Sequence, residues 1–352
     1  MKRHGNLFPQ IVDYDNLYSA YRKARKGEGW QDTIKGFEKE TEGNLLRIQD
    51  SLVNGTFTTS KYRTLQVFEP KQRTIYVLPF APDRIVQHAV MNIIEPIWDK
   101  MFIDDSYACR KGKGQHKGSR RCMEFVRKYD YCLKADISKF YPSINHNIMF
   151  SLVQKTIKCV PTLNIIKNII YSIGGIANVP IGNYLSQWLG NLYLHTVDTV
   201  CKHTLSIKGY IRYCDDFILF QNNKKHLHEC LAYIRAFLSD NLKLSMSKDS
   251  IFPMKQGVDF LGYRHFRNYI LLRKSTAKRV MKRLKRLPVL LRKGIITVEQ
   301  YISSIQSTKG WLRWCNSRNF SLNNKIDELL MEVKYEKFTK TLEHKEGCAC
   351  SS

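Results

Sequence analysis

In the first part of the chain, hydrophobic and polar positions repeat first with the period of a helix and then with the period of a strand. Residues 1–60 show helical periodicity, with Leu45, Ile48 and Leu52 on one side of a segment that also carries charged residues. From Tyr62 to Pro79, apolar and polar residues alternate, which is the period of a strand with one buried face. The pattern therefore predicts an amphipathic N-terminal helical region followed by a hairpin of strands.

The middle of the chain mixes both periods. Strands are predicted at Tyr131–Ile137, on both sides of Asp215-Asp216, near Leu244 and within Phe260–Leu272. Helices are predicted from Pro82 to about Lys100 and at Asn147–Lys158, Thr162–Ile173, Tyr184–Thr204 and Lys224–Leu242. Between Arg110 and Arg121 the many glycines and basic residues predict a loop. This mixture of strands and helices predicts an α+β fold.

The pattern changes after Ser275, where basic residues surround a helix whose apolar counterpart includes Val280, Leu284 and Leu287. Later helices continue to about Leu342. We therefore divide the chain into an N-terminal helical region (1–60), a central core (61–275) and a helical C-terminal part with its tail (276–352).

The net charge of the chain indicates which class of molecule it binds. The chain has 57 Lys and Arg against 31 Asp and Glu, a formal net charge of +26 that is spread along its length. Such an excess is typical of a surface that binds a polyanion, and nucleic acid is the leading expectation. A face that merely keeps the protein soluble does not require so large an imbalance.

Cysteine usage and hydropathy bear on location. The 10 cysteines include no CxxC pair, which favours free thiols in a reducing cytoplasm over disulfides or a zinc site. The stretch Asn168–Val197 lacks charged residues, but glycines, asparagines and a proline interrupt it. We expect a buried core there and no membrane span.

Three aspartates are candidates for metal chemistry. Asp215 and Asp216 lie between apolar flanks, and Asp136 ends a predicted strand. Carboxylates on adjacent strands can hold two Mg²⁺ ions roughly 4 Å apart for in-line phosphoryl transfer. The pair Asp104-Asp105 lacks such flanks and is predicted to be an ordinary turn. For Asp136 alone, a capping carboxylate is the alternative.

Four motifs in a fixed order carry a resemblance to a known family. They are the Asp136 segment, the Gly182–Gln187 segment, Tyr213-Cys214-Asp215-Asp216, and Phe260-Leu261-Gly262-Tyr263. Together with Arg73–Pro79 and Asp83–Gln87, this series resembles that of bacterial and group II intron-like reverse transcriptases over roughly residues 60–320. The resemblance implies an RNA-directed DNA polymerase with a right-hand fold: fingers, a palm of antiparallel sheet with helices, and a helical thumb.

The resemblance also implies roles for single residues. Asp136, Asp215 and Asp216 would bind two Mg²⁺ ions, or Mn²⁺, with the Ile137 carbonyl as a further ligand. Lys71 and Arg73 would hold the incoming triphosphate, Lys248 would meet the departing pyrophosphate, and Tyr141 would exclude a ribose 2′ hydroxyl. Phe260, Leu261, Gly262 and Tyr263 would form the primer grip. From the residues alone, Tyr141 is equally a core aromatic, Lys248 a solvated lysine, and Phe260–Tyr263 a packed strand.

One segment points to a subtype. Where intron-encoded enzymes have Gln and Ser-Pro, this chain has Ile181 and Ser186-Gln187, so that Ile181, Gly182 and Gln187 resemble the nucleotide-binding segment of diversity-generating retroelement reverse transcriptases. That family implies a template-repeat RNA, a DNA or RNA primer, dNTPs and errors opposite adenine. It also implies a ring of a small basic accessory variability protein, and a bacterial or phage-encoded enzyme in the cytoplasm.

Two alternatives remain open at this point. A retron or abortive-infection reverse transcriptase would share the same core and act in phage defence. A non-catalytic RNA-binding scaffold with a polymerase-like fold would bind RNA without incorporating nucleotides, although the complete set of aspartates argues against it.

Overall fold

The computed structural model describes residues 3–68 and 72–331. The chain forms two compact units, one made of the residues up to Gln115 with Tyr131–Ile251, and one made of His116–Asp130 with the residues from Phe252 onward. The division at 60 and 275 stays a prediction, since it concerns functional parts rather than compactness.

The first unit begins with four helices: α1 (Phe8–Val12), α2 (Tyr14–Arg25), α3 (Asp32–Glu38) and α4 (Thr41–Val53). Helix α2 begins where the Asp13 side chain accepts hydrogen bonds from two backbone N–H groups of the first turn. Its buried residues, such as Leu17 and Tyr21, join the same core as Leu45 and Ile48 of α4. The helical prediction for this region is confirmed.

A two-stranded hairpin follows, formed by β1 (Arg63–Val67) and β2 (Arg73–Val77). The strands are antiparallel, with Arg63 opposite Val77. All residues of β1 are exposed, so the alternation in sequence marks a strand but no buried face. After a kinked segment at Phe80–Arg84, in which the Ala81 backbone is extended, helix α5 (Ile85–Met101) begins and its apolar side chains join the core.

The centre of the first unit is a four-stranded sheet in the order β4-β5-β3-β6. Its strands are β3 (Tyr131–Ile137), β4 (Gly209–Tyr213), β5 (Asp216–Gln221) and β6 (Met246–Pro253). The remaining helices of this unit are α7 (Phe140–Ser143), α8 (His146–Gln154), α9 (Val160–Ile170), α10 (Tyr184–Thr199) and α11 (Lys224–Leu242). Buried side chains of α10, α11 and the sheet, including Trp188, Leu219 and Ile234, belong to one hydrophobic core. Burial on that scale supplies most of the stability of a domain.

The second unit contains α6 (Gln115–Lys128), a three-stranded sheet and, among the described residues, a helical C-terminal part. The strands β7 (Val258–Phe260), β8 (Tyr263–His265) and β9 (Ile270–Leu272) are antiparallel neighbours. Helices α12 (Lys274–Arg292), α13 (Val298–Leu312) and α14 (Arg318–Asn323) follow. Leu284, Leu287 and Tyr301 form part of their own core.

The loop predicted from Arg110 to Arg121 is wrong in its second half, because α6 begins at Gln115. Its first turn is polar, and its buried face starts with the small residues Gly118 and Ser119, so a hydrophobic pattern appears only from Cys122 onward. With that correction, helices and antiparallel sheets confirm the α+β class. No described helix has the length and apolar character needed to cross a membrane.

Candidate active site

The three candidate aspartates meet at one end of the central sheet. Asp136 near the end of β3 lies directly opposite Asp216 at the start of β5. Asp216 is also opposite Tyr213 of β4, and Asp215 occupies the tight turn between β4 and β5. Opposed residues on neighbouring antiparallel strands have their Cβ atoms roughly 5 Å apart. The structure therefore brings together residues that are about 80 positions apart in sequence.

Polar groups surround these carboxylates. The Lys134 ammonium lies 3.1 Å from Asp216 Oδ2, and the Ser247 hydroxyl donates to Asp136 Oδ2 over 3.0 Å. Across residues 3–68 and 72–331, no group of three or more His, Cys, Asp or Glu side chains is already gathered as a metal cluster. The donor set nevertheless fits Mg²⁺ or Mn²⁺, because carboxylate oxygens are the hard ligands that these ions prefer.

A buried ion pair lies beneath the Asp215-Asp216 turn. The Arg212 and Asp198 side chains are 1% and 0% exposed, and two Arg212 nitrogens donate to the two Asp198 carboxylate oxygens at 2.7 Å each. Tyr210 also donates to Asp198, at 2.7 Å. Burial alone would lower the pKa of Arg212, but Asp198 raises it above its usual value, so the guanidinium stays charged.

The same guanidinium holds the turn. Arg212 Nη1 donates to the Cys214 carbonyl at 3.1 Å and to Asn191 Oδ1 at 3.1 Å. Cys214 has a φ of 53°, a left-handed conformation that side chains other than glycine seldom adopt without support. Asn191 in turn donates to the Ala108 carbonyl at 2.9 Å. Helix α10 thereby fixes the backbone next to Asp215.

Sequence reasoning missed this network. The available signal was an arginine inside the otherwise apolar strand Gly209–Tyr213, because a buried charge requires a partner. Asp198 comes directly after the charge-free stretch that ends at Val197. The sequence does not indicate that these two residues pair with each other.

Tyr141 lies in α7, directly after the Asp136 strand. Its ring packs on Phe140 with centroids 5.2 Å apart. A Cβ built at Gly190 of α10 would lie 3.3 Å from the Tyr141 hydroxyl, so a small residue there leaves room for the ring. Burial, followed by the nearby Cys214, Cys109 and Asp215, raises the pKa of Tyr141, which is therefore neutral at pH 7. Both interpretations of Tyr141 stay predictions.

The Ile181-Gly182 segment is tied to the hairpin by backbone atoms. The Tyr76 N–H of β2 donates to the Ile181 carbonyl at 2.7 Å. Gly182 has a φ of 118°, and a Cβ there would lie 2.7 Å from the Tyr76 carbonyl oxygen. Position 182 therefore requires glycine on both conformational and steric grounds. Gln187 is exposed in the first turns of α10.

Arg73, a predicted triphosphate ligand, lies on the hairpin, and Lys248, predicted to meet the pyrophosphate, lies on β6. Arg73 begins β2 and is exposed, as is Lys248 of β6. Lys71 lies outside the described residues. Their roles remain predictions.

The predicted primer grip belongs to the second unit. Phe260 ends β7 and Tyr263 begins β8, with Leu261 and Gly262 at φ values of 54° and 85° between them. This is a two-residue hairpin turn with left-handed central residues, rather than a bulge. Tyr263 stacks on Trp311 with centroids 5.3 Å apart, as expected of a packing tryptophan.

The chain is similar in sequence to several known proteins. The chain is 27% identical over 215 residues to the group II intron-encoded protein LtrA of Lactococcus lactis subsp. cremoris, covering 57% of this chain and 35% of that protein. It is 24% identical over 275 residues to the protein YkfC of Escherichia coli (strain K12), covering 63% and 71%. It is also 23% identical over 165 residues to nuclear intron maturase 1, mitochondrial, of Arabidopsis thaliana, covering 47% and 21%.

The chain thus spans about a third of the length of the intron-encoded relative (35%). The sequence pattern of the family described as reverse transcriptase (RNA-dependent DNA polymerase) matches residues 69–265, more than half of the chain. This match includes the Asp136 strand, the Ile181-Gly182 segment, the Asp215-Asp216 turn and the Phe260–Tyr263 turn. The chain belongs to the reverse transcriptase (RNA-dependent DNA polymerase) family.

Proposed function

We propose that this protein is an RNA-directed DNA polymerase of the diversity-generating kind, which copies a template-repeat RNA into cDNA with frequent errors opposite adenine. The observation that carries the polymerase activity is the pairing of Asp136 with Asp216 across β3 and β5, with Asp215 in the adjoining turn. Family membership supports the same activity, and the intact carboxylates argue against a scaffold that only binds RNA.

In this proposal Asp136, Asp215 and Asp216 hold two Mg²⁺ ions, or Mn²⁺, with help from the Ile137 carbonyl. Bound there, the ions would activate the primer 3′ hydroxyl and stabilise the leaving pyrophosphate. Lys134 and Ser247 keep two of the carboxylates oriented. Arg212 keeps the turn in its left-handed conformation, so that the backbone at Asp215 needs little reorganisation before reaction.

In this proposal, residues other than the three aspartates bind the substrates. Arg73, together with Lys71, would bind the triphosphate of a dNTP, and Lys248 would meet the pyrophosphate. Tyr141 would exclude a ribonucleotide by contact with its 2′ hydroxyl. In the second unit, the turn Phe260–Tyr263 would hold the primer end. A small basic accessory protein ring would bind the enzyme and support cDNA synthesis.

The diversity-generating subtype depends on Ile181. An isoleucine side chain lacks the amide with which a glutamine could hydrogen-bond to the minor-groove side of the nascent base pair. A backbone hydrogen bond from Tyr76 to the Ile181 carbonyl holds the segment in place, and this bond does not depend on the side chain at position 181. We infer that the nascent pair is checked less strictly here than in enzymes with glutamine.

Primer extension on an RNA template with Mg²⁺ tests the activity. Wild type, Asp215→Ala and Asp216→Ala are compared, and the products are sequenced by template base. We expect synthesis by the wild type alone, with errors concentrated opposite adenine. Faithful synthesis would favour a retron or abortive-infection enzyme, and no synthesis, even with native RNA and accessory protein, would favour the RNA-binding scaffold.

Substitution at Ile181 tests the subtype within an active enzyme. Ile181→Gln and Ile181→Asn should lower the adenine error frequency several-fold, because each restores a hydrogen-bonding side chain. Ile176→Gln, at an exposed isoleucine of the same unit, is the matched control and should leave the ratio of adenine errors to other errors unchanged. Identical error spectra in the wild type and both Ile181 variants would contradict the proposal.

A further inference from the structure

Two cysteines of the first unit meet beside the Asp215-Asp216 turn. Cys109 follows the segment Asp105–Ala108, and Cys214 is the first residue after β4. The two thiols share a hydrogen bond. Cys109 is exposed and Cys214 is half-buried. The chemistry proposed for the polymerase uses neither thiol, so their proximity calls for a separate explanation.

Backbone pairing brings the two cysteines side by side. The segment before Cys109 runs parallel to β4, with Ser106 opposite Arg212. The Arg212 N–H donates to the Asp105 carbonyl at 3.0 Å, and the Tyr107 N–H donates to the Arg212 carbonyl at 3.0 Å. Parallel pairing of this kind keeps the residues that follow in step. The contact between the thiols is therefore part of the fold and does not depend on the side chains alone.

A hydrogen-bond network fixes the backbone on both sides of the pair. The Asn191 amide donates to the Ala108 carbonyl at 2.9 Å and accepts from Arg212 Nη1 at 3.1 Å. The same Arg212 nitrogen donates to the Cys214 carbonyl at 3.1 Å. Cys109 and Cys214 have φ values of 56° and 53°, left-handed conformations that persist only where the surroundings enforce them. Groups held in this way react with each other far more readily than the same groups free in solution.

The pair also differs from the other thiols in its access to solvent. Of the cysteines within residues 3–68 and 72–331, Cys109 is the exposed one. Cys159 and Cys315 are half-buried, and the four remaining side chains away from the pair are buried: Cys122, Cys132, Cys201 and Cys230. Reactive cysteines are typically accessible, whereas buried ones are inert. An oxidant in solution therefore reaches Cys109 first, with Cys214 next to it.

We propose that Cys109 and Cys214 are a redox-active pair, which a small-molecule disulfide converts into an intramolecular disulfide that stops polymerisation. The Cys109 sulfur attacks one sulfur of the small disulfide, so that a mixed disulfide forms and one small thiol leaves. The Cys214 sulfur then attacks the Cys109 sulfur, and the second small thiol leaves. The two protein thiols lose two electrons and two protons, and the small disulfide gains them as it becomes two thiols.

The new bond would act on the catalytic turn through its backbone. Two sulfurs that are now in hydrogen-bond contact must move together, and Cys214 directly precedes Asp215. A misplacement of about 1 Å can lower the rate of an enzyme about a hundredfold. This consequence rests on the proposed function, because it takes polymerisation as the activity that is lost. In a reducing compartment the pair would stay a dithiol and the enzyme would stay active, since disulfides there are usually transient and redox-sensing.

Controlled oxidation tests the proposal. The wild type is incubated with oxidised glutathione, the excess is removed, and half of the sample is treated with dithiothreitol. Unreduced peptides are mapped by mass spectrometry, and primer extension on RNA with Mg²⁺ is measured on the same samples. We expect a cross-linked peptide joining Cys109 to Cys214 and a fall in activity of about tenfold to a hundredfold, with both changes reversed by dithiothreitol.

Three variants separate this pair from the other thiols. Cys109→Ser should keep the activity of the reduced wild type and lose its sensitivity to oxidised glutathione. Cys159→Ser, which removes a half-buried thiol elsewhere in the same unit, is the matched control and should stay as sensitive as the wild type. Cys214→Ser should hold one glutathione on Cys109, because no second thiol is present to displace it. That last readout is a mass and needs no activity.

Other outcomes would overturn the proposal. Glutathione that stays on Cys109 of the wild type without a bond to Cys214 would show that the two thiols do not react with each other. Equal inhibition of Cys109→Ser and the wild type would assign the sensitivity to other residues. A complete disulfide with unchanged activity would refute its effect on polymerisation. If the reduced wild type makes no cDNA, even with native RNA and accessory protein, the proposed function fails, and the peptide map still decides whether the pair is redox-active.

Discussion

The central sheet and the β1–β2 hairpin of the first unit differ in the burial of their charged side chains. In the sheet, Arg212 is fully buried and paired with Asp198, and Lys134 is paired with Asp216. On the hairpin, Arg63 and Arg73 are exposed at opposite ends of the strand pair. In the proposed function the carboxylates hold metal ions and therefore need fixed positions, whereas the hairpin cations meet phosphate and can keep their hydration until substrate arrives.

The energetics explain this difference. Removing a charge from water costs several kcal/mol, and only a well-hydrogen-bonded partner offsets that cost. Arg212 meets the requirement with bonds to Asp198, Asn191 and the Cys214 carbonyl. The hairpin avoids the cost altogether, because its strand β1 is exposed along its full length.

Replacing a carboxylate of the sheet should have the largest effect. Asp136→Asn, Asp215→Asn and Asp216→Asn should each lower kcat about a thousandfold, because several kcal/mol of transition-state stabilisation are lost. Primer extension at saturating dNTP measures the change. Asp104→Asn is the control, since Asp104 belongs to an exposed turn and pairs with Lys113. Activity within tenfold of the wild type in any of the three variants would remove that residue from the metal site.

Breaking the buried Arg212–Asp198 pair should have the next largest effect, and this effect is on the stability of the fold. Arg212→Met leaves Asp198 buried without a counter-charge, so the free energy of unfolding should fall by about 3–5 kcal/mol in urea denaturation. Arg235→Met breaks a pair with Asp249 in which the arginine is 56% exposed, and should cost less than about 1 kcal/mol. The double variant Arg212→Met with Asp198→Leu should recover part of the loss. If Arg212→Met and Arg235→Met lowered the free energy of unfolding equally, the cost of breaking an ion pair in this protein would not depend on its burial.

Truncating the ring beside the sheet should alter sugar selection. Tyr141→Ala should raise ribonucleotide incorporation relative to deoxynucleotides by roughly tenfold to a hundredfold, since the steric clash with the 2′ hydroxyl is removed. Tyr141→Phe keeps the ring and should keep the selectivity. Competition assays with both nucleotides give the ratio of kcat/KM values. An unchanged ratio in Tyr141→Ala would leave Tyr141 as a packing residue against Phe140.

The hairpin should show the smallest effect, and on binding rather than turnover. Arg73→Ala should raise KM for dNTP about tenfold with little change in kcat, because one exposed charge-assisted contact to phosphate is lost. Arg47→Ala, an exposed arginine of α4, is the control. A fall in kcat as large as that of the aspartate variants would show that Arg73 acts in the transition state as well.

Sequence reasoning recovered the elements that have strong local patterns. The strand Tyr131–Ile137 and the helix Lys224–Leu242 have the predicted bounds, because their apolar periods are regular and turn residues flank them. The first half of helix α6 was predicted as a loop, because glycine and lysine dominate the segment just before the helix. Local pattern thus predicts an element where the buried face has large side chains, and fails where small residues form that face.

The candidate site also contains some contacts that the sequence predicted and others that it did not. The proximity of Asp136 to Asp216 followed from two motifs, and the structure brings those residues opposite each other. The Arg212–Asp198 pair was not predictable, because it joins segments whose distance in space depends on the packing of α10. A buried polar residue in a sequence indicates that a partner exists but does not identify it.

The junction between the hairpin and helix α10 bears on how such an enzyme evolves. At Gly182 the backbone conformation and the Tyr76 carbonyl oxygen exclude any side chain, so this position cannot change without damage to the fold. At Ile181 the Tyr76 N–H bonds the backbone carbonyl, a contact that every amino acid can make. Two adjacent positions therefore differ in the freedom they leave to selection. In the proposed function, copying accuracy can therefore change through substitutions at residue 181 while the surrounding architecture is inherited unchanged.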